Sequence, residues 1–346
     1  EEHEELQHLV GLGVLSHRKG CVKGFLDSLV FGEYVEASAN GFTNTLRLKH
    51  RKPCVNLPSS RVVYGEAVRS CLVARDGMLL GGADLSSLEN RIKFNLQLPY
   101  DREYVLSQMS SDFDPHLEIA QEGGLLKQHE VWFYKIVKEG FARENYPNDV
   151  NLDEMLNYPT ELQKTLVKHI SEVRGKGKGT NYSCQYDAGA ATVARTAGVP
   201  LSVGKALVKA YKKVNWSIEK IAQSQTIKKV SHGTYQLNPF NGMWYHLKTD
   251  KDRFSTLVQG TGAYVLDLWL GFQFNLRNKP EYGFDENGVK LLASFHDEQV
   301  VEFKEVFKDK VEVLMKDSLS KVNERFKLEI PFDCDVQFGV TYADIH

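Results

Sequence analysis

Cysteine is scarce in this chain and is not arranged for cross-linking. The 346 residues include five cysteines, and none of them stands in a C-x-x-C pair. An odd and scattered set does not form the framework of a small disulfide-rich protein, and it lacks the paired spacing of a zinc site. We therefore expect free thiols and a reducing, cytoplasmic location.

Long apolar runs and a dominant charge are also missing. No apolar run approaches the roughly 18 residues of a membrane-spanning helix, so we expect no membrane partner. The formal net charge is −2, so bulk charge gives no sign of nucleic acid. It does not exclude such a partner either, because a local basic surface supplies phosphate contacts whatever the total charge. The length permits one large core or two smaller ones.

Apolar periodicity predicts a mixture of helices and short strands. Helical spacing covers residues 1–31, 89–96, 112–120, 129–143, 160–173, 205–224, 259–274 and 307–326. Short strands and turns are predicted for residues 32–75 and 230–247, and a β-hairpin for residues 289–303. Thr160 and Gln163 offer a capping box at the start of one helix.

Two aspartates far apart in the sequence each close an apolar run typical of a buried strand. Asp84 follows residues 78–80, and Asp297 follows residues 289–295. A carboxylate at the end of a core strand is costly to bury unless a cation or hydrogen bonds compensate it. Taken singly, either residue could be a turn or cap aspartate. Together they indicate a shared site for divalent metal ions, of the kind that holds phosphates in line for transfer.

A basic segment lies between the two aspartates. Arg174, Lys178 and Tyr182 fall at i, i+4 and i+8, and Tyr186 continues the series. On a helix these residues share one face. An arginine can bind phosphate through two hydrogen bonds, a lysine adds a point charge, and a tyrosine ring offers a flat surface to a base.

Glycines complicate the helical interpretation of the basic segment. Gly175, Gly177 and Gly179 alternate with the charges, and each costs about 1 kcal/mol relative to alanine inside a helix. The residues alone therefore leave a solvated basic linker as an alternative. The segment is not an ATPase-type phosphate-binding loop, because Gly179 separates Lys178 from Thr180.

The order of carboxylate, basic helix and carboxylate resembles the family A (polymerase I-like) DNA polymerases. Residues 84–91 resemble motif A (D-x-S-x-x-E-x-R), residues 174–182 resemble motif B (R-x3-K-x3-[YF]), and residues 296–298 resemble motif C (HDE). Flanking segments resemble the family's T-G-R, Y-G-E-x-x-R, D-I-H and Q-G-T-A-A elements, at residues 45–47, 64–69, 114–116 and 259–263. The resemblance covers about residues 43–346. It is strongest to phage-encoded members, which would place the protein in the host-cell cytoplasm.

The resemblance implies an α+β, right-hand polymerase fold with an antiparallel palm sheet and mainly helical fingers. Residues 1–101 would form the first palm part with motif A, residues 102–229 the fingers with motif B, and residues 230–346 the second palm part with motif C. Within the fingers, residues 123–173 would be an inserted and removable helical subdomain that contacts template or a partner, or else an ordinary structural addition. Thumb and exonuclease domains are not evident, and we expect them on a separate chain or on a part not included here.

The family pattern also implies metal and nucleotide roles. Asp84, Asp297 and the Leu85 carbonyl would hold two Mg²⁺ ions, for which Mn²⁺ could substitute, with Glu298 supporting these ligands. The residues implied in binding the incoming deoxynucleoside triphosphate (dNTP) are Ser86, Glu89, His116, Arg174, Lys178 and Tyr182. Lys178 would also be catalytic, Tyr182 would stack on the base, and Glu89 would exclude a 2′-hydroxyl.

Contacts to the primer-template DNA are implied for a further set of residues. These are Arg47, Arg69, Tyr186, Gln259 and His296. Two departures from motif B stand out, Ser183 and Asp187 where the family usually has glycine. With the three glycines upstream, we expect a helix that is poorly formed until nucleotide binds.

The function that these implications favour is template-directed addition of deoxynucleotides to a primer 3′-hydroxyl. A separate chain could supply a thumb with 3′–5′ exonuclease, or a processivity factor. Two other functions stay open: a single-subunit RNA polymerase, against which Glu89 argues, and a non-catalytic nucleic-acid-binding subunit. A metal-dependent hydrolase is disfavoured, because the sequence has no local His/Asp cluster.

Overall fold

The structure, a computed structural model, describes residues 4–286 and 288–346. The chain forms two compact units. The first, here called the sheet unit, comprises the residues up to Asn95 together with Asn238–His246 and Leu257–His346. The second, the helical unit, comprises Leu96–Leu237 and Leu247–Thr256. The assignment of these units to palm and fingers, with the predicted boundaries, stays a prediction.

Eleven strands are formed by the described residues. In chain order they are β1 (Leu29–Val30), β2 (Tyr34–Val35), β3 (Ala39–Phe42), β4 (Leu48–His50), β5 (Met78–Leu85), β6 (Ile227–Val230), β7 (Gly233–Leu237), β8 (Trp244–Leu247), β9 (Val289–Phe295), β10 (Glu298–Lys304) and β11 (Cys334–Gly339). The predicted hairpin is confirmed as β9 and β10, which pair antiparallel around a turn at residues 296–297.

Thirteen α-helices are formed by the described residues. They are α1 (Glu4–Asp27), α2 (Gly65–Arg69), α3 (Leu88–Gln97), α4 (Arg102–Ser107), α5 (Pro115–Glu122), α6 (Gln128–Val137), α7 (Val150–Leu156), α8 (Thr160–Gln185), α9 (Ala190–Ala197), α10 (Leu201–Val214), α11 (Trp216–Ser224), α12 (Arg253–Arg277) and α13 (Lys308–Phe326). Short 3₁₀ turns lie at Arg143–Asn145, Asp250–Asp252 and Glu305–Phe307. The first three residues of the helix predicted at 1–31 lie outside the described residues. No described helix is both long and apolar enough to cross a bilayer.

A four-stranded antiparallel sheet organises the sheet unit, in the order β11-β5-β10-β9. The inner strand β5 carries Gly82 where the C-terminal segment approaches closely, because a Cβ atom there would lie 2.9 Å from the Ile345 Cβ. The register of this ladder places Asp84 opposite both Glu298 on β10 and Asp335 on β11. The sheet therefore gathers acidic residues at one end of its two inner strands.

Helix α12 supplies much of the core of the sheet unit, as its apolar sequence predicts. Trp269 is fully buried, and its indole Nε1 donates a hydrogen bond to the Met315 carbonyl of α13 at 2.9 Å. Phe303 of β10 and Val311 of α13 are also fully buried. This core fixes the sheet whose end carries the acidic residues.

The basic segment of the helical unit is part of a continuous helix, so the expected weakening of α8 is not observed. Gly177 is required by packing: a Cβ atom there would lie 2.0 Å from the His116 carbonyl oxygen of α5. A glycine that lowers helix propensity thus permits two helices to approach closely. Because residues 174–182 lie within this helix, the alternative of a solvated basic linker is wrong.

The predicted capping box at the start of α8 is wrong. Pro159 is the N-cap residue and makes no side-chain cap hydrogen bond. Gln163 instead donates through Nε2 to the carbonyls of Leu156 and Tyr158, at 2.8 Å and 3.1 Å. The Gln163 side chain therefore ties α8 to the preceding loop. At α5, by contrast, Asp114 is the N-cap residue, and its side chain accepts hydrogen bonds from the His116 and Leu117 amides.

Residues 123–173 share a core with the helices that flank them. Leu117 and Ala120 of α5 lie in one buried cluster with Phe133 of α6 and Val173 of α8. The same α8 continues into the basic segment. Removing these residues would expose the apolar faces of α5 and α8, so the expectation of a removable subdomain is not supported. A role in contacting template or a partner stays a prediction.

Candidate catalytic and nucleotide-binding residues

Asp84 and Asp297 come together at one end of the sheet, as the sequence predicts. Asp84 is the penultimate residue of β5, and Asp297 lies in the turn between β9 and β10. The Leu85 amide donates to the Asp297 carbonyl oxygen at 3.0 Å, so the two backbones are in direct contact. The residue after Asp84 is therefore tied by its backbone to Asp297.

This arrangement places like charges close together. Burial, together with the neighbouring carboxylates of Asp297 and Glu298, raises the pKa of Asp84 to about 7. Burial also raises the pKa of Asp297, against the opposing influence of the Arg47 guanidinium. Folding thus concentrates negative potential that a bound cation would neutralise.

The donor set fits hard divalent cations. Carboxylate and carbonyl oxygens are the ligands that Mg²⁺ prefers, and Mg²⁺ usually keeps waters or substrate phosphates in its remaining positions. Over residues 4–286 and 288–346, no three His, Cys, Asp or Glu side chains form a closed ligand group.

Two residues that the sequence analysis did not single out adjoin this group. Asp335 faces Asp84 across the β5–β11 pair, and its Oδ2 accepts a hydrogen bond from Ser86 Oγ at 3.0 Å. His346 Nε2 lies 3.0 Å from Glu298 Oε1. The strand register reveals Asp335 and the fold of the C-terminal segment reveals His346, because neither belongs to a motif. Ser86, predicted to bind nucleotide, is engaged with Asp335 in this structure.

A cavity of about 450 Å³ in the sheet unit contains these carboxylates. Arg69 and His296, both predicted to bind DNA, also line it. The Arg69 Nε donates to the Pro58 carbonyl at 2.7 Å, and the guanidinium carbon lies 5.1 Å from the Tyr342 ring centroid. The two predicted DNA-binding residues are therefore placed beside the carboxylates.

Arg47 and Glu89 form an ion pair in the sheet unit. The Arg47 Nη2 lies 2.7 Å from Glu89 Oε1, and both side chains are about one-fifth exposed. Glu89 stands in the first turn of α3. Gln259, partly buried on α12, precedes Gly262, where a Cβ atom would lie 3.6 Å from Arg47 Nη2. The residue predicted to exclude a 2′-hydroxyl is thus held by a residue predicted to contact DNA.

In the helical unit, Asp114 joins α5 to the predicted phosphate-binding helix. Its Oδ1 accepts hydrogen bonds from the amides of His116 and Leu117, and its Oδ2 lies 2.5 Å from Arg174 Nε. Although burial raises the pKa of Asp114, the hydrogen bonds from Arg174 and from the α5 backbone hold it below its usual value. Asp114 therefore stays ionised and orients Arg174.

His116, Lys178 and Tyr182 form a group beside this ion pair. The Tyr182 ring centroid lies 6.2 Å from that of His116 and 5.8 Å from Lys178 Nζ. Burial lowers the pKa of His116, Asp114 opposes the shift, and Arg174 and Lys178 add to it. The group therefore combines a half-buried neutral imidazole, an exposed ammonium and an aromatic face.

Tyr186 ends the predicted series along α8. It is the C-cap residue of the helix, and about half of its surface is exposed. It lies at a helix end, in contrast to Arg174, Lys178 and Tyr182, which are all within the helix. Its predicted contact with DNA stays a prediction.

Comparison with known proteins finds a structural likeness and no sequence match. No family model and no curated protein matches the chain. The polymerase domain of Pol1 from M. smegmatis, in a complex with DNA primer-template and dNTP, superposes with a TM-score of 0.69 at 19% sequence identity. The match covers 99% of this chain and 54% of that chain, so the present chain spans about half the length of that structure. The chain has the α+β fold, with antiparallel sheets and many helices, of a DNA polymerase domain.

Proposed function

We propose that this chain is a template-directed DNA polymerase of the family A type. It would add deoxynucleotides to a primer 3′-hydroxyl and release pyrophosphate. The observation that carries the proposal is the meeting of Asp84 on β5 with Asp297 in the turn that leads into the adjacent strand β10, in a chain whose fold is similar to a polymerase domain. The motif resemblance and the grouping of Arg174, His116, Lys178 and Tyr182 in the helical unit support it.

The sheet unit would act as the palm. Asp84, Asp297 and the Leu85 carbonyl would hold two Mg²⁺ ions, which when bound supply activation of the 3′-hydroxyl and charge neutralisation on the phosphates. Glu298, held by His346, would support this ligand set. Arg69 and His296 would contact the primer-template beside the carboxylates, and Arg47 and Gln259 would do so near α12.

The helical unit would act as the fingers and bind the incoming dNTP. Arg174 would bind phosphate oxygens through its guanidinium, Lys178 would place positive charge beside the leaving pyrophosphate, and Tyr182 would stack on the base. His116 would donate a hydrogen bond to the triphosphate. These residues occupy the facing surfaces of α5 and α8, whose close approach is permitted by Gly177.

Sugar selection and partner chains follow from the same proposal. Glu89, fixed by Arg47 at 2.7 Å, would exclude a ribose 2′-hydroxyl. By the resemblance, the chain would be of the phage type and would include palm and fingers, with a thumb, a 3′–5′ exonuclease or a processivity factor supplied by a separate chain or by another part of the same protein.

Primer extension tests the proposal directly. Purified chain, a labelled primer-template, Mg²⁺ and dNTPs should yield extended primer, and the Asp297→Asn variant should yield almost none while it binds the duplex equally well. If both proteins bind DNA and neither extends the primer, with candidate partner chains added, a non-catalytic binding subunit is favoured. If extension requires ribonucleotides, the RNA polymerase function is favoured.

A further inference from the structure

Asn181 of α8 contacts two consecutive residues at the start of α5. Its Nδ2 lies 2.7 Å from the Pro115 carbonyl oxygen and 3.2 Å from His116 Nδ1. No motif drew attention to Asn181, which stands immediately before Tyr182. The side chain is partly buried, so these contacts are sheltered from competing solvent.

The chemistry of the two contacts determines where the His116 proton resides. A backbone carbonyl can only accept, so the side-chain atom 2.7 Å from the Pro115 oxygen must be the amide nitrogen of Asn181. That nitrogen carries two hydrogens and accepts none. Its second hydrogen points to His116 Nδ1, which must therefore be the unprotonated ring nitrogen.

We infer that Asn181 is a positioning residue that fixes His116 as the neutral tautomer with its proton on Nε2. His116 then has one donor, Nε2–H, whose identity is set by Asn181 and not by the ligand. Since a nucleoside triphosphate offers only acceptor oxygens on its phosphates, this tautomer is the one that can bind it. That last step rests on the proposed function, whereas the tautomer does not.

The surrounding packing holds the His116 backbone in place for this contact. Gly177 stands one helical turn before Asn181, and its missing side chain admits the His116 carbonyl against α8. On the other side, the Asp114 carboxylate accepts a hydrogen bond from the His116 amide at 2.8 Å. With the backbone held at both its carbonyl and its amide, the Asn181 amide can reach the ring nitrogen.

The cations near His116 also favour the neutral form of its ring. A second proton on the ring would occupy Nδ1 and break the hydrogen bond from Asn181. The cations Arg174 and Lys178 also disfavour the imidazolium, and only Asp114 favours it. The imidazole therefore contributes a directed hydrogen bond, while the positive charge in the helical unit comes from the arginine and the lysine.

Nitrogen NMR of the free protein tests the tautomer without any catalytic readout. With ¹⁵N-labelled histidine, and with a His116→Gln variant to assign the signal, the wild type should show Nδ1 unprotonated and Nε2 protonated at neutral pH. Asn181→Asp presents only acceptors, so it should move the proton to Nδ1. Asn181→Leu should give a mixture of tautomers, and Lys168→Leu, an apolar change at an exposed site on the same helix, should leave the signal unchanged.

A wild-type spectrum with the proton on Nδ1 would overturn the inference, and so would an unchanged tautomer in folded Asn181→Asp. If the Asn181 variants fail to fold, the wild-type spectrum alone decides. Steady-state kinetics test whether this tautomer binds the phosphates of dNTP. Asn181→Asp should raise KM for dNTP about tenfold and change kcat little. An altered tautomer with unchanged KM would overturn the role in nucleotide positioning. Inactivity of the wild type would count against the proposed function and leave the NMR test intact.

Discussion

The two units handle charge in opposite ways. In the sheet unit, strand pairing brings Asp84, Asp297 and Glu298 together, and the pKa of Asp84 is raised to about 7 as a result of burial and of this mutual repulsion. In the helical unit, the cation Arg174 has its own carboxylate, Asp114, whose pKa is lowered. One unit leaves a charge for an external ion to neutralise, and the other neutralises part of its charge internally.

Under the proposed function, this difference affects how each unit would bind its ligand. The carboxylates of the sheet unit repel one another, so a bound cation would relieve a repulsion that the fold has already created. An anion entering the helical unit must compete with Asp114 for Arg174, but it finds the guanidinium already oriented. Three substitutions, with matched controls, test this contrast, and a fourth tests the packing of α8.

The largest effect should follow from removing a carboxylate of the sheet unit. Asp84→Asn keeps the side-chain volume and removes the charge that would ligate metal. We expect primer extension to fall about a thousandfold, or about 4 kcal/mol of transition-state stabilisation. Single-turnover extension with saturating DNA and dNTP measures it.

Asp335→Asn is the matched control for that change. Asp335 lies opposite Asp84 in the ladder but is exposed and accepts the Ser86 hydroxyl. We expect primer extension by Asp335→Asn to fall by less than about tenfold, because the Asp335 charge acts only through the local electrostatic potential. Equal losses in the two variants would show that the site depends on total negative charge and not on a specific ligand.

A smaller effect should follow from removing a cation of the helical unit. Lys178→Ala takes away an exposed ammonium that lies 5.8 Å from the Tyr182 ring. We expect kcat/KM for dNTP to fall about a hundredfold, or about 2.7 kcal/mol, because a charge beside the phosphates acts mainly in the transition state. Lys168→Ala, at another exposed position of α8, should leave kcat/KM unchanged. Similar losses in both would indicate a general basic surface.

The sequence predicts the charged residues of both units but not the tertiary contacts that position them. Asp84, Asp297, Arg174 and Lys178 belong to short motifs whose spacing is local, and the hairpin that presents Asp297 has a local signal as well. The contacts of Asn181 depend on the packing of α5 against α8, two helices that are distant in the sequence. The residues next to Asn181 in the sequence do not predict these contacts.

The errors have the same origin. Propensity counts Gly177 against a helix, yet the structure needs a glycine there because α5 crosses at that point. The predicted capping box is wrong because the Gln163 side chain donates to a carbonyl of the preceding loop. Tertiary packing decided each case, and a single sequence does not contain the approach distance between two helices.

The two glycines of α8 test this account by stability. Gly177→Ala would place a Cβ atom 2.0 Å from the His116 oxygen, and we expect the free energy of unfolding to fall by about 2 kcal/mol. Gly175→Ala meets nothing within 4 Å, so it should raise the free energy of unfolding by about 1 kcal/mol through helix propensity alone. Chemical denaturation of both variants provides the values. Equal stabilisation by the two alanines would contradict the close α5–α8 contact.

The smallest effect concerns the Arg47–Glu89 ion pair, where the sheet unit compensates a charge internally as the helical unit does. Glu89→Ala opens space beside the predicted sugar position and leaves Arg47 without its carboxylate. We expect the ratio of ribonucleotide to deoxynucleotide incorporation to rise about tenfold, or about 1.4 kcal/mol. Glu89→Gln keeps the volume and removes the charge. If Glu89 excludes the 2′-hydroxyl by its size, the Glu89→Gln variant should keep the wild-type incorporation ratio. If the carboxylate acts by its charge, Glu89→Gln should give the same ratio as Glu89→Ala. A ratio unchanged in both variants would remove Glu89 from sugar selection and leave it as the residue that orients Arg47.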